Sequence, residues 1–369
     1  MMILTLDSPN TTRIPGRTPL EVNVAVSQFV FGRGSRGIIL ADVNNPLDAL
    51  AALALTRHPF DGPVILVAQA GMDSVLFDEI RRLASAHTDS VTQAILVGPL
   101  SQQVEDQLVS LGLRATRISG INAYHTAAEV ARFLGHPSDM MLVSGQDPIS
   151  GLVAGAMAVR RGIPIIFTLK DTLPQETAAV IKAAHERTNV FILGTRDVIS
   201  DETEKTVRGL ADGTVSRISG EDLFELAARF AKYKSADGRF GFGKVTKHGH
   251  AFTFVNPGRW QDCIFGSMLA HSGKHTPVLF VTKDEVPRVT QDYLLEIKPA
   301  PTEPDPQYMH AFIIGDFQAV SAKVQLDIED LMSIDQESRR QVAHTVEPHE
   351  NLMRVASDIV PDMPHTTLE

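Results

Sequence analysis

The four residues Arg-Ile-Ser-Gly stand at 117–120 and again at 217–220, 100 residues apart. A fixed internal period means that each copy is one structural unit and that the fold is made by stacking such units. Each tetrapeptide closes a β-like stretch (LRATRI, TVSRI) and opens an amphipathic helix, at 121–133 and 221–233. Those helices place apolar residues at i, i+3, i+4 and i+7, the spacing of one buried helical face.

What precedes each tetrapeptide follows one order. In the first copy GIILAD reads as a buried strand, NPLDALAALALTR as a helix and GPVILVA as a second strand; SVLFDEIRRLASA is a helix, QAILVG a third strand and SQQVEDQLVSLG a closing helix. The second copy runs DMMLVSG, DPISGLVAGAMAVRR, IPIIFTL, PQETAAVIKAAHER, VFILG and SDETEKTVRGLA. A more diverged third runs HAFTFVN, RWQDCIFGSMLAH, PVLFVT, VTQDYLLEI, AFIIG and SAKVQLDIEDLM. Pro63, Pro164 and Pro277 precede the second strand of each copy, where a missing N–H is tolerated. Continuous apolar strands alternating with helices predict an α/β fold of parallel sheets covered on both faces, as tandem Rossmann-like units with right-handed crossovers. The boundaries expected are a unit at 21–120, a second at 121–220 and a diverged third at 221–335, flanked by arms at 1–20 and 336–369. The first arm holds one short candidate strand, MILTL. The third copy carries two candidate surface loops, GRFGFG at 238–243 and a proline-rich stretch at 298–307. The arms read either as tails or as straps for self-association with another subunit.

The order ILVG, SQQVEDQLVSLG, RISG, YHTAAEVA resembles the type-two cell-wall-binding repeat of bacterial surface proteins. Pro46-Leu47-Asp48-Ala49-Leu50 is similar to that repeat's helix start, and Tyr124-His125-Thr126-Ala127 keeps its Tyr-x-Thr-Ala junction, with Ala123 in place of an arginine. The third copy keeps only the aromatic of that junction, Phe224. The resemblance covers roughly 300 residues and implies three units packed about a pseudo-threefold axis. It also implies a non-enzymatic role in anchoring to anionic wall polymers.

Composition narrows the function classes. Lys and Arg number 34 against 44 Asp and Glu, a formal net charge of −10, which argues against a general nucleic-acid partner. One cysteine, Cys263, excludes an internal disulfide and multi-cysteine metal sites, and reads as a small buried hydrophobe. No uncharged apolar run approaches the length needed for membrane insertion. The first 20 residues lack a basic n-region, so no signal peptide is expected; that reading is cytoplasmic, whereas the resemblance points to the cell surface.

The candidate chemistry is sparse. GRGSRG at 32–37 has dinucleotide-type glycines, but a helix precedes it and a strand follows, the reverse of what pyrophosphate binding needs. SGQDPISGLVAG at 144–155 follows a strand and opens a helix, yet Gly151 and Gly155 are better read as close-packing positions. His248 with His250, and His271 with His275, lack a carboxylate to complete a metal site. No cofactor, metal or catalytic residue is expected. Basic residues recur where the first helix of each copy ends: Arg57, Arg160 with Arg161, and Lys274. They either compensate the helix dipole or form a threefold set of cations that receives a polyanion. Arg117 and Arg217 are open in the same way, as polyanion contacts or as loop ties. The sequence therefore favours a binding protein for an anionic surface polymer. A self-assembling scaffold linked by its arms is the alternative, and an α/β enzyme has only its fold class in its favour.

Overall fold

A computed structural model describes residues 8–57, 59–85, 93–135, 137–184, 187–247, 249–271, 275–299 and 309–334. Among these, the apolar runs become twelve parallel strands in three four-stranded sheets. In the first unit β2 (Gly37–Asp42), β3 (Val64–Val67), β4 (Gln93–Val97) and β5 (Arg114–Ile118) take the order β3-β2-β4-β5. The second unit repeats it as β7-β6-β8-β9, with β6 (Asp139–Ser144), β7 (Ile165–Thr168), β8 (Asn189–Leu193) and β9 (Val215–Ile218). The prolines open the ladders as anticipated, each giving only its carbonyl: Ile39, Met141 and Thr253 donate to Pro63, Pro164 and Pro277 at 2.9, 3.0 and 3.0 Å.

The third sheet departs from the tandem reading. It runs β11 (Val278–Phe280), β10 (His250–Val255), β12 (Met309–Ile314), and its fourth place is filled by β1 (Thr11–Ile14) from the other end of the chain. Thr11-Thr12-Arg13-Ile14 pairs with Ala311–Ile314, in the place that ATRI has in the first sheet and VSRI in the second. The ladder closes alike in all three: Gly315, Gly98 and Gly194 donate to Ile14, Ile118 and Ile218 at 2.9, 2.9 and 3.0 Å. Each of these glycines has positive φ, at 95°, 83° and 132°, a region that L side chains avoid. Residues 11–20, placed by sequence in an arm, thus enter the body of their own molecule. The strand expected at 2–6 and the arm at 336–369 lie outside the described residues.

The next helix starts by one device in every unit. Helices α1 (Pro19–Val30), α5 (Ala123–Phe133) and α10 (Leu223–Lys232) are capped by Thr18, Asn122 and Asp222. Each cap accepts from the N–H three residues on, at 3.3, 2.8 and 2.8 Å, and satisfies a first-turn donor. The remaining crossovers are α3 (Ser74–Ser85) and α4 (Gln102–Ser110), α8 (Gln175–Ala183) and α9 (Asp201–Leu210), then α12 (Arg288–Ile297) and α13 (Ala322–Met332).

The helix after each unit's first strand is central. These are α2 (Pro46–Ala52), the pair α6 (Pro148–Gly151) and α7 (Gly155–Arg161), and α11 (Trp260–Ser267), each with a 3₁₀ turn along its course. Seven residues on from Pro46, Pro148 and Trp260 stand Leu53, Gly155 and Ser267. These three meet: a Cβ on Gly155 would lie 2.4 Å from Ser267 Oγ and 2.9 Å from Leu53 Cδ1. Equivalent positions touching one another mark a pseudo-threefold axis. Around it one buried apolar cluster draws residues from all three units, and each fully buried Leu, Ile or Phe contributes roughly 1.5–3 kcal/mol.

Candidate functional site

At one end of the axis the central helices bring basic residues together. Arg57 follows the first helix and its guanidinium donates to the carbonyl of Arg160, near the end of α7. Gly162 caps α7 in the left-handed region at φ 67°, and a Cβ added there would lie 3.8 Å from Arg57 Cβ, so the two helix ends are neighbours. Arg160 Nη1 donates to Gly241 O at 3.1 Å, and its guanidinium sits 5.3 Å from the Phe242 ring centre. Arg161 Nη2 donates to Arg239 O at 2.7 Å.

Those acceptors belong to the stretch read as a surface loop, which the structure corrects. Phe240 stacks on Phe191 at 3.5 Å, and Phe240 and Phe242 are 1% and 8% exposed. The loop is pinned by its rings and carries Lys244 to the cluster, where the Lys244 N–H donates to Ala231 O at 2.9 Å. His275, before β11, completes the group.

Electrostatics show that these groups feel one another. Burial, and then the charge of Arg160, push the Lys244 ammonium down to about 8. Burial followed by Arg160, Lys244, Arg57 and Arg161 pushes His275 down to about 4. Arg160 is itself lowered by burial, then by Arg161 and Arg57. Among the described residues, no carboxylate forms an ion pair with Arg57, Arg160, Arg161 or Lys244. The three sequence candidates Arg57, Arg160 and Arg161 are thus brought together; Lys274 lies outside the described residues. His275 stands beside Lys274 in the recurring basic set and is brought in; Lys244 was missed because it stands on a loop with no periodic relation to the helix ends.

Arg117 and Arg217 are elsewhere and tie loops. Arg217 Nε pairs with Glu204 Oε2 at 2.7 Å, and its Nη1 donates to Gly194 O and Thr195 O at 3.0 and 3.2 Å. Arg117 pairs with Glu105 at 3.0 Å and donates to Leu100 O at 2.5 Å. Arg13 does the same for the third sheet, donating to Gln325 Oε1 at 2.8 Å and to Gly315 O and Asp316 O at 2.9 and 3.1 Å. Glu105, Glu204 and Gln325 are each the fourth residue of α4, α9 and α13.

The starts of the central helices hold buried acids. Asp48 accepts from Asn45 Nδ2 at 2.7 Å, and burial, with Asp42 nearby, raises its carboxyl to about 6. Asp262 meets Arg259 at 2.7 Å, yet burial outweighs that pair and raises it to about 7. Gly98 and Gly315 make room for them, since a Cβ on either would come within 2.2 and 3.1 Å of the carboxylate. The second unit has Ser150 there. Gly151 packs against Val143 of β6 and Leu50, and Gly155 against the other central helices. Cys263 is buried in α11 with its thiol pushed well up by desolvation, so it is not a ready nucleophile. Among the described residues no group of three or more His, Cys, Asp or Glu could hold a metal ion, and no helix is long and apolar enough to cross a membrane.

Comparison with known proteins agrees with the three-unit fold. The sequence model of the family described as Cell wall binding domain 2 matches residues 117–204 and 217–325, together more than half of the chain. Both matches begin at the arginine of the Arg-Ile pair and end at its partner position on the closing helix, Glu204 or Gln325. The chain is 25% identical over 323 residues to the amidase enhancer of Bacillus subtilis, covering 87% of this chain and 40% of that protein. It is 27% identical over 270 residues to the N-acetylmuramoyl-L-alanine amidase LytC of the same organism, covering 72% and 49%. It therefore spans less than half of these relatives. Among solved structures, Cwp6 from Clostridium difficile superposes with TM-score 0.72 at 20% identity, over 86% of this chain and 47% of that one. Cwp8 from the same organism gives 0.70 at 20% identity, over 90% and 52%.

Proposed function

Because this chain belongs to the Cell wall binding domain 2 family, we propose that its three-unit body is a non-catalytic module that holds to an anionic polymer of the cell wall. The observation that carries this reading is the gathering of Arg57, Arg160, Arg161 and Lys244 without a carboxylate partner among the described residues, in a chain whose net charge is −10. An acidic protein repels a polyanion at long range, so a contact between them needs a local concentration of positive charge. The rest of the chemistry points away from catalysis: the thiol is buried, and the raised acids lie inside helix starts where they serve packing.

The scaffold reading loses one of its two supports, since β1 is spent inside its own molecule. Residues 336–369 lie outside the described residues, and self-association through them is carried only by their sequence.

Sedimentation with purified bacterial cell wall tests the proposal. The protein is expected in the pellet at low salt and in the supernatant near 1 M salt, where the screening length falls to roughly 3 Å. Protein left in the supernatant at low salt would overturn the binding role.

A further inference from the structure

We propose that the end of the axis marked by Arg57, Arg160, Arg161, Lys244 and His275 is the seat of a phosphate-bearing segment of that polymer, which rests on the binding role above and gives it a place and a chemistry. Helix-dipole compensation explains a cation at the end of α7. It does not explain Lys244 or His275, which stand on loops, nor why residues from all three units converge. The tying arginines of this fold show what a structural role looks like: Arg13, Arg117 and Arg217 each meet a carboxylate or amide and at least one loop carbonyl. Arg57 and Arg161 instead donate to one carbonyl each and stay exposed.

Gathered cations with no carboxylate paired to them among the described residues repel one another, and a multivalent anion removes that repulsion. One carboxylate is satisfied by a single guanidinium fork. A phosphate presents more acceptor oxygens, and phosphates repeated along a polymer suit cations supplied by three units. The pinned loop limits the ordering cost, because Phe240 and Phe242 already hold the backbone under Arg160 and Arg161.

The test uses the full chain with inorganic tripolyphosphate in calorimetry, alongside sedimentation with cell wall before and after hydrofluoric acid removes phosphodiester-linked polymers. The main variant is Arg57→Gln with Arg161→Gln, both at exposed positions, and Arg117→Gln is the control. Tripolyphosphate should bind the wild type and the control alike, and the double variant at least ~10-fold more weakly. Bound tripolyphosphate should also raise the His275 imidazole titration followed by NMR, a shift that a merely structural cluster would not show. Acid-stripped wall should no longer pellet the protein.

Equal affinity in the double variant, no binding to the wild type, or undiminished pelleting with stripped wall would each overturn the proposal. If native wall still pellets the protein in those cases, the binding role stands and only this site falls. If tripolyphosphate binds at the cluster and native wall pellets nothing, the site stands and the wall-binding role falls.

Discussion

Arg13, Arg117 and Arg217 occupy one position of the repeat at different depths. Arg13 is 1% exposed, and the side chains of Arg217 and Arg117 are 8% and 34% exposed. The cost of removing a charged donor grows with what it leaves unpaired in a dry place. Changing each to alanine should therefore destabilise in the order Arg13, Arg217, Arg117. Losses of about 3 kcal/mol for the first two and at most about 1 kcal/mol for Arg117 are expected in urea unfolding. An Arg117 variant as unstable as the Arg217 variant would refute the ranking. Two of these arginines were legible because Arg-Ile-Ser-Gly recurs word for word. The third was not, since Pro15 replaces the serine and Arg13 lies before the first unit, where a tandem reading does not search. Lys244 was hidden for another reason: only the burial of Phe240 and Phe242 brings it to the axis, and buried phenylalanines among glycines read as a loop.

At the scale of elements, β1 is held by more than its ladder. Glu329 of α13 accepts from the Asn10 N–H at 3.1 Å and Nδ2 at 2.7 Å, and its burial raises its carboxyl above the ordinary value. Gln325 donates to Thr11 Oγ1 at 2.9 Å, and the His310 ring meets Thr12 Oγ1 at 2.9 Å. Three polar residues in four give no apolar pattern, which is why this stretch falls in the arm of the sequence reading while GIILAD and DMMLVS are plain strands. Removing residues 1–14 strips the outer partner from β12 and bares an apolar sheet edge, a template for pairing with another chain. The truncated protein should melt at least several degrees lower and form larger species in light scattering. A monomer with an unchanged melting temperature would contradict this role for β1.

For the whole molecule, the alternation of strands and helices in each copy was readable because period and composition are local properties. The pseudo-threefold meeting of the copies was implied by the resemblance, but which residues of three distant helices share the axis was not readable from local pattern. Leu53, Gly155 and Ser267 look unrelated in sequence, and their unlike sizes are what let three helices approach one point. Since the main apolar cluster crosses all three units, heat should unfold the described body in one transition, with calorimetric and van't Hoff enthalpies in agreement. Three separable transitions would show that the units are independent domains. The closing of the third sheet by β1 also has a mechanical side. Ser8 and Asn10 stand beside Glu329, near the end of α13, so the first and last of the described residues meet at the same corner. A tether or cargo joined directly at residue 8 or at residue 334 would depart from that one corner. Placing it ahead of this body or behind it along a polypeptide would hardly alter where it hangs.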